Sequence, residues 1–273
     1  MTTVSQLQDP LRARDPLALA ALSGLGVGML GGLIGLGGAE FRLPLLIAFF
    51  GFAALEAVIV NKAISLVVVA TALLFRSHAV PFDVLLSHWP VALNLLLGSM
   101  AGAWWGASWA TRALPRMLHR WMAVLLVGMA AALLLNHALP LNAAPGLDGG
   151  ARWVVGIAAG FGIGGVASLL GVAGGELLIP TIVLLFGADI KLAGSLSLAV
   201  SLPTMVVGFA RYSRDGSFQV LRARRAMVGA MAAGSVVGAG IGASLLGVVP
   251  GTWLLPVLAA ILVVSALKIW RHP

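Results

Sequence analysis

The chain contains no cysteine, a single tyrosine and only nine acidic residues. Without cysteine there are no disulfides, no thiolate nucleophile and no sulfur-ligated metal, and nothing is learned about redox compartment. Histidine is sparse: His78, His88, His119, His137 and His272 show no metal-like pairing, and loop or interface positions are their default. No HExxH, GxSxG or Walker A motif occurs. The sequence therefore offers no enzyme signal, and no cofactor is expected. Charge is scarce too, at 10% of residues, against about 25% in a soluble domain.

What fills the chain is apolar: 60% of residues are hydrophobic and the mean hydropathy is +1.04. A water-soluble fold has no way to hide that much apolar surface. Residues 17–38, 54–75, 90–110, 121–139, 153–173, 190–210, 226–247 and 252–268 are apolar runs, each close to the ~20 residues that cross a bilayer as a helix. Their length and glycine content favour helices over barrel strands, which show short alternating segments. Arg12 and Arg14 before the first run mimic a signal peptide. That run is long and continues into a glycine motif, so it reads as a retained first helix. The net charge of +8 would suggest nucleic acid in a soluble protein. Here it reports topology, because Lys and Arg accumulate in cytoplasmic loops, and no nucleic-acid partner is expected.

A shift of 136 residues aligns the two halves without a gap. Gly24, Gly26, Gly28, Gly35, Gly38, Gly51, Gly98, Gly102 and Gly106 fall on Gly160, Gly162, Gly164, Gly171, Gly174, Gly187, Gly234, Gly238 and Gly242. Nine of the 13 glycines in the first 137 residues match, where glycine density alone predicts roughly two. Glu40 falls on Glu176, Pro44 on Pro180, Asn61 on Ser197 and Ser65 on Ser201. The chain is thus a duplicated unit: a polar segment 1–16, a first repeat 17–140, a linker 141–152 and a second repeat 153–273. Each repeat reads as five segments, a helix, a short segment and three more helices. The short segments 40–51 and 176–187 have 12 residues each, which cover ~18 Å of a ~30 Å hydrocarbon core. They are broken or re-entrant helices, tolerated where protein or a water-filled cavity surrounds them.

Loop charge sets the orientation. Arg12 and Arg14, Arg112 to Arg120, Arg211 to Arg225, and Lys268 with Arg271 are placed on the cytoplasmic side, with both termini. The basic loop follows the fourth helix in the first repeat and the third in the second. An odd number of crossings per repeat explains this, with the second repeat upside down, as in many secondary transporters.

Gly24, Gly28 and Gly32 lie four apart, as do Gly98, Gly102 and Gly106, and Gly234, Gly238 and Gly242. Small residues at that spacing let helix backbones approach, within one chain or in a homodimer. The glycines before Glu40 and Glu176 follow no such spacing. Gly37, Gly38, Gly174 and Gly175, with Pro44 and Pro180 behind them, predict a helix break. A broken helix exposes N–H groups and a positive dipole end that suit an anion; a tight interhelical turn is the plainer alternative. Glu40 and Glu176 stand beside apolar segments, where carboxyls are costly and are functional candidates for proton coupling or gating. Arg42, two residues from Glu40, offers an ion-pair alternative. Arg42, Asn61, Lys62, Lys191, Ser195, Ser197 and Ser201 follow the motifs as a polar set able to coordinate a small oxyanion, while Lys62 and Lys191 could equally reach an interface. The eight tryptophans lie mostly near helix ends, as an aromatic belt does.

"GLIGLGGAEFRLPLL" in the first repeat, with "SLLGVAGGELLIPTIVLLFG" and "AGSLSLAVSLPT" in the second, resembles the sulfite exporter TauE/SafE family of membrane permeases over nearly the whole chain. The family's usual glycine run is interrupted here by Ala39 and Ala173, with Glu40 and Glu176 following. The resemblance implies a secondary carrier of small anions, often sulfur oxyanions or organosulfonates such as sulfoacetate. The expectation is an all-α polytopic protein of the bacterial inner membrane, with two inverted five-segment repeats, a small anion and the lipid bilayer as its partners, and no enzymatic activity. An anion channel and an intramembrane enzyme or assembly factor stand as alternatives.

Overall fold

The glycine motif ends the first helix sooner than hydropathy alone would suggest. In a computed structural model, residues 16–110 and 149–250 are described, with isolated positions beyond them. The predicted spans 121–139 and 252–268, most of the linker, Trp121, Trp270 and the basic stretch 112–120 lie almost wholly outside the described residues. Ten α-helices and one 3-10 turn, with no strand, make up the described residues. In the first repeat these are α1 (Pro16–Ile34), α2 (Ala39–Ala48), α3 (Ala54–Arg76), α4 (Phe82–Ser87) and α5 (Trp89–Ala110). In the second they are α6 (Gly149–Leu170), α7 (Gly175–Phe186), α8 (Ile190–Tyr212), the 3-10 turn Gly216–Gln219, α9 (Val220–Ala223) and α10 (Arg225–Leu246).

Five of the helices, α1, α3, α6, α8 and α10, are long and apolar enough to cross a membrane. The predicted run 90–110 forms a helix of similar length, α5, but is not among the five. Four tryptophans and Asn94 dilute its apolar content. Outward faces carry Leu22, Leu74, Leu97, Val154, Val206 and Val237, all exposed, as suits helices solvated by lipid rather than water.

The predicted spans 17–38 and 153–173 overshoot. α1 stops at Ile34 and α6 at Leu170, and the chain then turns through glycines. Gly38 and Gly174 are the N-caps of α2 and α7, with φ of 69° and 82°. A side chain in that left-handed region is strained, so glycine is what the turn requires. Proline is not the breaker: Pro44 lies within α2 and Pro180 within α7, past the turn. The two short helices, of 10 and 12 residues, cover only part of a bilayer.

Glycine rows then hold the helices together within the chain. α1 packs on α10, and α5 on α6, more extensively than any other pairs. A Cβ on Gly24, Gly28 or Gly32 would strike the backbone of Met231, Ser235 or Ala239 in turn, so α1 and α10 run parallel. Gly98, Gly102 and Gly106 meet Ile157, Phe161 and Gly165 in the same way. The contacts are reciprocal at the 136-residue offset: Gly28 against Ser235 is matched by Gly164 against Ser99, and Gly35 against Gly194 by Gly171 against Val58. Contacts of i with j′ matched by i′ with j are the pattern of a two-fold, isologous pair. Here both partners belong to one chain.

α3 and α8 correspond under the offset, and they lie antiparallel. Arg76, at the end of α3, meets Lys191 and Ser195 at the start of α8, while Lys62 near the start of α3 lies beside Gly208 near the end of α8.

Candidate functional site

The two glycine breaks meet each other. A Cβ on Gly37 would lie 3.2 Å from that of Ala173, and one on Gly175 would lie 3.0 Å from the Gly35 carbonyl oxygen. Gly37 and Ala173 are themselves counterparts under the offset, so the two breaks touch at matched positions. Side chains from α3 and α8 stitch the breaks together. Asn61 Nδ2 donates to the carbonyls of Ala39 (2.9 Å) and Gly171 (3.1 Å). Its counterpart Ser197 donates to Gly35 O (3.0 Å) and Gly194 O (2.8 Å). The N-cap residues of α2 and α7 are the glycines Gly38 and Gly174, which carry no capping side chain, and the positive ends of two helix dipoles come together inside the protein.

Three cationic side chains are buried around this junction: Arg42, Lys62 and Arg76 are each no more than 1% exposed. From α2, Arg42 reaches across to α3 and α10. Nη1 donates to Asn61 Oδ1 (3.3 Å) and Ser65 Oγ (2.8 Å), and Nη2 to Gly37 O (3.5 Å) and Ser235 Oγ (3.4 Å). Lys62 Nζ donates to Ser168 Oγ (3.1 Å) and stands 5.8 Å from the centre of the Tyr212 ring. It does not reach outward to an interface. Lys191 is different: it is only partly buried, at the start of α8, where Asp189 accepts from its backbone N–H at 2.9 Å.

Arg76 directly follows the predicted span 54–75, with no motif around it to mark a role. It closes the C-terminal end of α1. Nη1 donates to Gly32 O (3.1 Å) and Leu33 O (2.8 Å), Nη2 to Lys191 O (2.8 Å), and Nε to Ser195 Oγ (3.1 Å). The last carbonyls of a helix lack intrahelical donors, and a cation there also opposes the dipole. The 136-residue offset would have exposed this role. It pairs Arg76 with Tyr212, and Tyr212 Oη donates to Ser168 O (2.7 Å) at the end of α6. Ser168 is in turn the counterpart of Gly32.

The predicted site residues therefore divide. Gly37, Gly38, Arg42, Asn61, Gly174, Gly175 and Ser197 converge on the junction of the breaks. Lys62 lies on the same helix as Asn61, facing α6 and α8. Ser195 belongs to the Arg76 clamp, with a structural role. Ser201 is 1% exposed and its hydroxyl has no hydrogen-bond partner among the described residues. Glu176 is buried, at 3% exposure, in the first turn of α7, where a carboxylate is favoured by the helix dipole. The Glu40 side chain lies outside the described atoms; its backbone occupies the matching turn of α2. Ser65, Ser99, Thr204 and Ser235 complete the buried polar interior, Ser99 Oγ lying 2.7 Å from Thr204 Oγ1.

A membrane interior with cations, hydroxyls and open helix ends at one junction has the chemistry to accept a small anion, since charge-assisted hydrogen bonds replace its lost hydration. Comparison with known proteins agrees in class. No curated protein and no solved structure matches the chain. The family model described as sulfite exporter TauE/SafE matches residues 19–269. That match spans both glycine breaks and both repeats, and the chain belongs to the sulfite exporter TauE/SafE family of membrane transport proteins.

Proposed function

We propose that the protein is a secondary transporter that moves a small oxyanion, sulfite or an organosulfonate such as sulfoacetate, across the bacterial inner membrane. The units 17–140 and 153–273 act as an inverted pair, with both termini cytoplasmic and transport by alternating access between them. The observation that carries this proposal is the burial of Arg42 beside the junction of two helix ends that begin at glycine N-caps. A fully buried guanidinium that reaches Asn61, Ser65, Ser235 and the Gly37 carbonyl brings a cationic group to the place where the repeats meet, the usual position of a transporter's substrate. The antiparallel course of the counterpart helices α3 and α8 supports inversion. Arg42, Lys62, Asn61 and Ser197 bind the anion, with the N–H groups after Gly37 and Gly174. Glu40 and Glu176 gate the site or carry a proton with the substrate.

A panel of small anions screened by thermal shift on purified protein tests the binding step. A ligand that binds only the folded state at about a hundred times its Kd adds about 2.7 kcal/mol of apparent stability. Sulfite or a sulfonate raises the melting temperature of the parent, and Arg42→Gln removes that response. Proteoliposomes loaded with the anion that binds then show saturable, substrate-selective flux. Non-saturating conductance would instead identify a channel, and absence of any anion response from the whole panel would defeat the proposal.

A further inference from the structure

One difference between the two repeats at the junction changes the charge of a buried shell of oxygens. In the first, the Arg42 guanidinium sits in a shell of oxygens: Asn61 Oδ1, Ser65 Oγ, Gly37 O and Ser235 Oγ. Shifted by 136 residues, the shell becomes Ser197, Ser201, Ala173 O and Ser99, all four again oxygen donors, while Arg42 becomes Leu178. By sequence correspondence the second repeat keeps oxygen-bearing residues at the shell positions, with the buried Leu178 in place of the guanidinium. The consequence is visible at Ser201. Its counterpart Ser65 accepts from Arg42 at 2.8 Å. Ser201 Oγ, equally buried, has no hydrogen-bond partner among the described residues, an arrangement that costs free energy unless something else fills the need.

The direction of the surrounding hydrogen bonds states what that something is. A hydroxyl has one proton and two lone pairs. Ser197 spends its proton on the carbonyls of Gly35 and Gly194. Ser99 and Thr204 lie 2.7 Å apart, and each also has a carbonyl acceptor, Leu96 O (3.3 Å) for Ser99 and Val200 O (2.8 Å) for Thr204, so the Ser99 proton is spent on Leu96 O or on Thr204. Ser197 and Ser99 therefore present lone pairs, not protons, to their surroundings. Ser197, Ser201 and Thr204 stand at i, i+4 and i+7 on α8, one face of the helix. Ser201 thus sits between the residue tied to the first repeat's break and the residue tied to α5. An acceptor-rich lining selects a cation, not the anion assigned to the Arg42 side.

We propose that this second shell binds a single small monovalent cation of the Na+ type, held by Ser197, Ser201 and Ser99 hydroxyl oxygens and the Ala173 carbonyl. Neutral oxygens suit a hard monovalent ion. Divalent ions are normally held by several carboxylates, and among the described residues no group of three His, Cys, Asp or Glu comes together. Arg42 is the built-in equivalent of the same ion. The bound ion places a second positive charge beside the break opposite Arg42, and so couples to an anion held between them. Only this coupling rests on the transport proposal; the cation site itself does not.

Binding of 22Na+ to purified protein, with choline holding ionic strength constant, tests the site. The parent binds Na+ saturably, and Na+, but not choline, raises its melting temperature. Ser201→Ala weakens binding by about tenfold or more, the factor that 1.4 kcal/mol represents. Leu178→Arg supplies the cation in place and abolishes Na+ binding while the protein stays folded. Should that variant fail to fold, Ser201→Ala decides alone. No saturable binding of Na+, Li+ or K+ to the parent, or unchanged Na+ binding in Ser201→Ala, overturns the proposal. Na+ binding in a protein that moves no anion leaves the site standing and defeats transport, whereas anion flux without cation binding does the reverse.

Discussion

Arg76 joins three helices and both repeats, and its removal should be felt as stability rather than as affinity. Arg76→Met keeps the length and apolar body of the side chain but removes the donors. Four hydrogen bonds are lost, to Gly32 O, Leu33 O, Lys191 O and Ser195 Oγ. Ser195 retains a weaker bond of its own to Lys191 O at 3.3 Å, so the main loss is at the two α1 carbonyls. Each buried acceptor left unsatisfied costs about 1–3 kcal/mol, offset in part because a buried guanidinium no longer has to be desolvated. A net destabilisation of about 3 kcal/mol follows. At ~2–4 °C per kcal/mol for a chain of 150–250 residues, the apparent melting temperature falls by roughly 6–12 °C. Thermal unfolding in one detergent at fixed lipid content, followed by tryptophan fluorescence, measures it. Arg76→Lys should recover part of the loss, because an ammonium reaches some of the carbonyls but not all four acceptors at once. The affinity of the folded fraction for its anion should stay at the parent value. An Arg76→Met protein melting within a degree of the parent would refute the clamp, and a selective loss of anion affinity would move Arg76 into the binding site.

Other outcomes follow from the same geometry. Gly28→Ala should destabilise by about 1–3 kcal/mol, because its Cβ meets Ser235 backbone, whereas Gly26→Ala, with nothing within 4 Å, should melt as the parent does; equal effects in paired melting curves would contradict the packing. Asn61→Leu removes the donor that bridges Ala39 and Gly171 and should lower both stability and anion response, seen as a smaller ligand-induced thermal shift. Lys62→Met should reduce anion affinity by at least about tenfold, given the strength of charged hydrogen bonds, in the same binding assay. Glu176→Gln should flatten the pH dependence of flux in proteoliposomes, and flux with unaltered pH dependence in both Glu176→Gln and Glu40→Gln would end their role as proton carriers.

Much of this was written in the glycines. Their 136-residue recurrence located the repeat, because a glycine pressed against a backbone tolerates no side chain, and the same demand arises at both copies of a two-fold contact. The turns at Gly38 and Gly174 were legible for a related reason: a left-handed residue needs glycine. The prolines misled, since Pro44 and Pro180 sit past the turns, inside the short helices. Span ends were misjudged by three or four residues, because hydropathy runs on through a turn that stays buried. Arg76 and Tyr212 were opaque for a deeper reason. The pair performs one task, closing the end of a first helix, with unlike chemistry, so neither residue type nor hydropathy relates them. Ser201 was legible only as one of several polar residues after the motif; its separate meaning depends on a leucine standing where the other repeat has Arg42.

The pairing of α1 with α10 also bears on how the protein is made. The glycine face of α1 is covered by a helix that begins about 190 residues after α1 ends, an interval of roughly 10–40 s at ~5–20 residues per second of synthesis. Throughout that time α1 resides in the membrane without its partner, and its last carbonyls wait for Arg76. The first repeat cannot mature on its own, because its closest neighbour belongs to the second. Assembly of this pair is therefore a late event that waits for α10, and a ribosome that stalls before Arg225 leaves a half-built pair with its most intimate surface open to lipid.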